Sequence, residues 1–207
     1  SRAGGTALMN AAVNNHPAVV LRLLRAGADA KLRSEDGKSA LQHAKEEGHA
    51  ASVGALRQHI EEATASQREA AAGGAGGASS GEAASSGSLG SLPEEAAKTA
   101  AEGDEAALLA WLDSGGQVNA TCQKDGVGGI TALMLAAHQG QERVVELLLH
   151  RGAQIDLQDS MGDAALLLAA AAGKERVVDL LLQHGAEINK QNSYGNTALM
   201  LAAVQER

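Results

Sequence analysis

The segment TALMLAA at residues 131–137 returns as AALLLAA at 164–170 and again as TALMLAA at 197–203, each step being 33 residues. The same spacing separates Gly140 from Gly173, Gly152 from Gly185, and Thr6 from Ser39. A fixed period of this length means that each unit is one supersecondary element, which buries its apolar face only by stacking on its neighbours. Such a chain offers binding surfaces rather than a catalytic core.

One period contains the reasons for its own shape. Residues 132–139 are short, rich in Ala and Leu, and have good helix propensity. The small side chains of Ala136 and Ala137 let neighbouring helices approach closely. Gly140 stops this helix, because glycine takes the left-handed backbone conformation at little steric cost. Residues 141–150 form a second helix, with Val144, Val145, Leu147, Leu148 and Leu149 on a broad apolar face. Gly152 ends it, and residues 153–163 make an extended, polar, turn-bearing segment before the next cycle.

These residues resemble the ankyrin repeat, whose pattern runs roughly D-x-x-G-x-T-P-L-H-x-A-A-x-x-G-x-x-x-V-V-x-L-L-L-x-x-G-A-x-[VI]-[ND]. It is met here by Asp159, Gly162, Leu166, Ala169, Ala170, Gly173, Val177, Val178, Leu180, Leu181, Leu182, Gly185, Ala186, Ile188 and Asn189. The resemblance implies an all-α ankyrin-repeat solenoid of helix-turn-helix units with β-hairpin turns. There are departures. Alanine replaces the family's proline at positions 7, 40, 132, 165 and 198, and Met9, Gln42, Met134, Leu167 and Met200 stand at its histidine. Loss of the threonine–histidine pair is expected to weaken the hydrogen-bonded turn at each helix start, with Met and Leu adding burial instead.

The chain divides into two arrays joined by a linker. Residues 1–72 hold a truncated repeat (6–32) and a terminal one (37–60). In the latter Arg57 stands where leucine is expected, and Glu46, Glu47, Glu61 and Glu62 supply the polar outer face that a last repeat needs. Residues 73–92 have the Gly/Ser composition of a flexible linker, with an r.m.s. span of roughly 25 Å. Residues 93–207 form the second array. Pro93 suits a helix first turn, and Glu94 and Glu95 favour the positive end of a helix. Gly115 to Gly152 is 37 residues, and the extra length falls in a Gly-rich loop at residues 122–129. Both chain ends fall inside repeats. Tandem arrays within a longer protein are the expected layout; one array of rearranged connectivity is the other.

Charge and composition exclude several function classes. Residues 1–70 carry nine Lys/Arg against eight Asp/Glu, whereas residues 93–207 carry eight against sixteen. The net charge of −8 therefore lies in the second array, which disfavours nucleic acid and anionic membranes and suits a basic protein surface. No apolar run is long enough to span a membrane. The single cysteine, Cys122, rules out an intramolecular disulfide framework and suits a reducing, intracellular compartment such as the cytoplasm.

No catalytic or metal constellation emerges. Gly37-Lys38-Ser39 lacks the earlier glycine of a phosphate-binding loop, since Leu32 stands there, and it follows a turn rather than a strand. His43 and His49 around Glu46 do not have helical metal-ligand spacing. His138, His150 and His184 recur at helix ends, where they cap carbonyls. Lys124 is expected to lower the thiol pKa of Cys122. The chain is expected to be no enzyme, with no cofactor, no metal and no small-molecule substrate.

The resemblance implies that partners are bound at the hairpin tips and the exposed positions of the first helices, along a concave face. By register the tips are Ser160, Met161 and Asp163, then Ser193, Tyr194 and Asn196, with Glu35, Asp36 and Lys38 in the first array. The inner helices supply His138 and Gln139, and Val13 and Asn14. Tyr194 is the leading anchor, paired with Met161, and Asp159 and Asp163 are expected to steer a basic partner. The family's asparagine hydroxylation would fall on Asn189, preceded by Leu181, Glu187 and Ile188; Asn119 matches less well, with Gln117 in the acidic position. The expected function is a protein-interaction scaffold or assembly subunit. The alternative is a regulatory ankyrin region attached to a catalytic, channel or signalling domain.

Overall fold

The computed structural model describes residues 16–33, 37–70 and 90–193. Their helices are α1 (Pro17–Arg25), α2 (Ala40–Glu46), α3 (Ala50–Ala70), α4 (Glu94–Glu102) and α5 (Glu105–Asp113). A two-stranded hairpin follows, β1 (Thr121–Lys124) and β2 (Val127–Thr131). Helices α6 (Ala132–Gln139), α7 (Glu142–His150), α8 (Ala165–Ala171) and α9 (Glu175–Gln183) complete the described chain.

Consecutive helices pair as α4 with α5, α6 with α7, α8 with α9 and α2 with α3. First helices α4, α6 and α8 form an inner row. Second helices form an outer row in the order α5, α7, α9, α1, α3. The inner row packs most intimately because its contact residues are small. Ala96, Ala100, Ala132, Ala136, Ala137, Ala165, Ala169 and Ala170 are all buried. Two of the outer helices bury one valine pair and one leucine each, Val144, Val145 and Leu148 in α7 and Val177, Val178 and Leu181 in α9. This is the apolar stripe expected from the sequence, with the remaining leucines half-buried at its margins.

Helix starts differ in how they are capped. Ser39 keeps a full reciprocal pair, its N–H donating to Gln42 Oε1 at 2.8 Å and its Oγ accepting from the Gln42 N–H at 3.4 Å. At Thr131 the methionine takes the histidine's place: Thr131 Oγ1 accepts from the Met134 N–H at 3.2 Å, and the Thr131 N–H points at the Met134 sulfur at 3.4 Å. Only Ala164, before α8, has no side-chain cap among these three. The expected general weakening of the turn is therefore confined to the alanine-capped repeat. Sulfur is a weak acceptor, yet it is buried here and occupies the site.

The extra residues after α5, expected as a Gly-rich loop at a hairpin tip, are themselves mostly strand and lengthen that hairpin. Thr121 faces Thr131, Cys122 faces Ile130 and Lys124 faces Val127. Asp125 and Gly126 make the two-residue connection, both with positive φ, 51° and 84°, as such turns require. Residues 90–92 add to the edge of β1: Leu92 N–H donates to the Thr121 carbonyl at 2.8 Å, and Thr121 N–H to the Gly90 carbonyl at 2.9 Å.

Hairpins are tied to one another by backbone. Ser160 N–H donates to the Gly128 carbonyl at 2.8 Å, and Ser193 N–H to the Met161 carbonyl at 2.9 Å. At Gly162 this approach leaves no room: φ is 78°, and an added Cβ would stand 2.4 Å from the Ser193 backbone nitrogen. Gly162→Ala is accordingly expected to destabilise the fold by about 2–4 kcal/mol, combining left-handed strain with a backbone clash. Chemical denaturation checks this, with Gly152→Ala, which has open space around it, as the milder reference.

Candidate functional site

The inner helices and the hairpin enclose a cleft of about 850 Å3. Leu92, Cys122 and Leu135 contribute its apolar lining; Glu94, Lys98 and Lys124 are exposed around it. Glu95 and Glu102 also line it. The three glutamates make no ion pair among the described residues, in contrast to three acids of the outer row. There, Glu105 pairs with Arg143, Asp113 with Arg151 and Glu142 with Arg176.

The sequence-predicted tips fall into place unevenly. Ser160 is exposed, but its hydroxyl accepts from the Gly128 N–H at 3.0 Å, so it links hairpins. Met161 is half-buried, and Ser193 is exposed. On the inner row Gln139 is exposed and His138 half-buried. Burial, reinforced by the positive charges of Lys174 and Lys124, lowers the His138 pKa. Tyr194, Asn196, Glu35, Asp36, Val13 and Asn14 lie outside the described residues. Lys38 pairs with Glu46 at 2.6 Å.

The expectation that Asp159 and Asp163 are open tip acids is corrected. Asp159 Oδ1 accepts from the N–H groups of Met161 and Asp163, at 2.8 and 2.9 Å. Asp163 turns toward the next hairpin, where its Oδ1 accepts from Asn192 Nδ2 at 2.7 Å. Beside it, Gln158 Nε2 donates to the carbonyls of Gly162 and Gln191 at 2.6 and 2.9 Å. Asp159 thus braces its own turn, while Asp163 serves the joint between repeats. Burial pushes the Asp163 pKa up to about 6, with Asp159 adding to the rise and the Asn192 hydrogen bond opposing it.

Cys122 also departs from expectation. Its thiol pKa is raised, because burial outweighs the attraction of Lys124. His150 and His184 behave as read: their Nδ1 atoms lie 2.8 and 2.9 Å from the carbonyl oxygens of Glu146 and Leu180. No group of metal-ligating side chains occurs among the described residues, and no helix among them is long and apolar enough to cross a membrane.

Asn189 bridges to a neighbour. Its Oδ1 accepts from the Asp29 N–H at 3.1 Å. The same bond recurs at each earlier joint, from Gln154 N–H to Asn119 Oδ1 at 2.9 Å and from Glu187 N–H to Asp156 Oδ1 at 3.1 Å. An acceptor oxygen fills this position at all three joints, an amide oxygen in Asn119 and Asn189 and a carboxylate oxygen in Asp156.

Comparison with protein families gives two matches, a model described as ankyrin repeats (3 copies) over residues 133–207 and one described as ankyrin repeats (many copies) over residues 1–44. The chain belongs to the ankyrin-repeat family. No curated protein is similar enough to add to this. Ankyrin repeats are generally protein-protein interaction modules and typically non-catalytic. The cleft at the start of this ankyrin stack was missed by sequence reasoning, although two of its walls, α4 and the insertion after α5, were each visible. What joins them is the pairing of residues 90–92 with β1, which no repeat pattern encodes.

The Asp163 environment gives a pH prediction. Its folded pKa of about 6 exceeds the ordinary 3.8, so between those values the folded state binds more protons than the unfolded chain. The contribution of Asp163 is then fully present below pH 3.8 and is lost as pH rises through about 6. Asp163→Asn is expected to raise stability by about 1–2 kcal/mol near neutral pH, allowing for partial solvent screening, and to leave it unchanged below pH 3.8. Thermal unfolding of both proteins across this range is the measurement.

Proposed function

We propose that this chain is a non-catalytic scaffold or assembly module that grips a partner protein along its inner helices and hairpin tips, the concave face of an ankyrin array. The observation that carries the reading is the cleft between α4, β1 and Leu135, with apolar lining and a rim on which Glu94, Glu95 and Glu102 outnumber Lys98 and Lys124. A rigid apolar floor with exposed acids favours a protein segment bearing Lys or Arg beside an apolar side chain. By repeat register, Gln139, Met161 and Tyr194 belong to the same inner-helix and hairpin-tip face. A large ring with a polar handle at that register is a good anchor. The reduced form of Cys122 and the family resemblance together suit the cytoplasm.

The test is site-specific photo-crosslinking in cell extract. A crosslinker at Lys98, in the cleft, is expected to trap a partner protein that a crosslinker at Ala106, exposed on outer helix α5, does not. For the trapped partner, Tyr194→Ala should weaken binding by about 1–3 kcal/mol with helicity unchanged. Charge reversal of Glu94, Glu95 and Glu102 together should slow association and flatten its salt dependence. Equal trapping at both positions would refute the concave-face assignment.

A further inference from the structure

The outer row passes from α9 to α1, two helices from opposite parts of the chain, and three features show that this seam obeys the register of an ordinary repeat joint. First, the Asp29–Asn189 bond repeats the Gln154–Asn119 and Glu187–Asp156 bonds. Second, the residue preceding each outer helix lies over the glycine that follows the inner helix of the repeat before. A Cβ on Gly103 would meet Gln141 at 2.4 Å, one on Gly140 would meet Lys174 at 2.9 Å, and one on Gly173 would meet His16 at 3.0 Å. Third, α1 packs on α9 as α9 packs on α7.

One feature is special to the seam. Within the array, the second residue of an outer helix, Arg143 or Arg176, pairs with the first residue of the helix before it, Glu105 or Glu142. In α1 the corresponding residue is Ala18. Arg22 instead, at the register of Leu147 and Leu180, pairs with both Asp179 and Glu175, the latter at 3.2 Å. All three side chains are about 35–44% exposed, which places the contact at a rim where charge selects partners more than it adds affinity. In sequence register, α1 stands where the array's own continuation after residue 193 would place its next outer helix. The seam is therefore a joint made by docking rather than by chain continuity.

We propose that the end of the array at α8 and α9 is a docking surface for an ankyrin repeat carrying arginine at the register of Arg22, and that a second copy of this chain can supply that repeat through its residues 17–60. The contact seen within one chain is the closed form of the same joint. Because both sides of the seam belong to one chain, closure within a chain is favoured over association between copies, tethered partners commonly having effective concentrations of about a millimolar. At micromolar concentration the wild-type chain therefore closes on itself, and exchange between copies needs the closed form to be weakened, as in other swapped assemblies.

Two charge-reversed chains provide the test. Arg22→Glu places like charges at the seam, and so does the pair Glu175→Lys with Asp179→Lys. Each chain alone is expected to be monomeric, with unfolding shifted to lower temperature. Mixed in equal amounts, the new carboxylate of the Arg22→Glu chain faces the two introduced lysines of the other, while Arg22 of that other chain meets native acids. A 1:1 dimer is then expected by light scattering, and it is lost at high salt. All three substitutions in one chain should restore wild-type melting and the monomeric state. Failure of the mixture to dimerise, or melting of the triple variant no higher than that of Arg22→Glu alone, would overturn the proposal. Neither readout involves the partner of the cleft.

Discussion

No helix pair in this chain has a core of its own; each becomes stable only by contact with the next. That dependence sets the residue choices everywhere else. The inner helices must come close together, so alanine fills their contact positions, and outer helices such as α7 and α9 need only one valine pair and one leucine apiece to seal the other side. With a single Trp, a single Tyr and no Phe, the chain still buries a continuous apolar layer, because close approach of small residues substitutes for large side chains.

The same dependence explains where the acidic side chains go. Sixteen acids in residues 93–207 suggest a surface waiting for a basic partner. Many of them instead join one repeat to the next: Glu105, Asp113 and Glu142 through arginines, Asp156 through a backbone N–H, Asp163 through Asn192. Glu94, Glu95 and Glu102 around the cleft are among the acids that take no part in such joints. Net charge thus overstates the interaction surface, since in a stacked protein part of it is internal wiring between units.

Much of this was legible in the sequence, and the reasons are local. Residues 132–139 form the first helix because Gly140 ends it, as glycine spacing implied. The second helix begins and ends as the apolar periodicity required. The hairpin at residues 121–131 had a signature too, since Asp125-Gly126 is a favoured two-residue turn, but the run of glycines around it concealed the strand pattern. The fate of Asp163 was not legible. Register put it at a tip, and only the position of Asn192 in three dimensions shows that its carboxylate is a joint. Cys122 failed similarly: a nearby lysine is visible in sequence, whereas the burial that outweighs it is not. At Met134 a side chain chosen for bulk also serves as an acceptor, a role that its residue type only weakly suggests.

The seam has a kinetic consequence as well. Neighbouring repeats in residues 94–193 meet across about one period of 33 residues, whereas Arg22 reaches Asp179 across 157. Closing the longer loop costs about 1.4 kcal/mol more in chain entropy, and contacts of such separation are slow to form. During synthesis residues 17–60 emerge well before α9 exists to receive them. These helices are made before the surface that seats them, so translation itself opens an interval in which α1 lacks the shielding that α9 later provides.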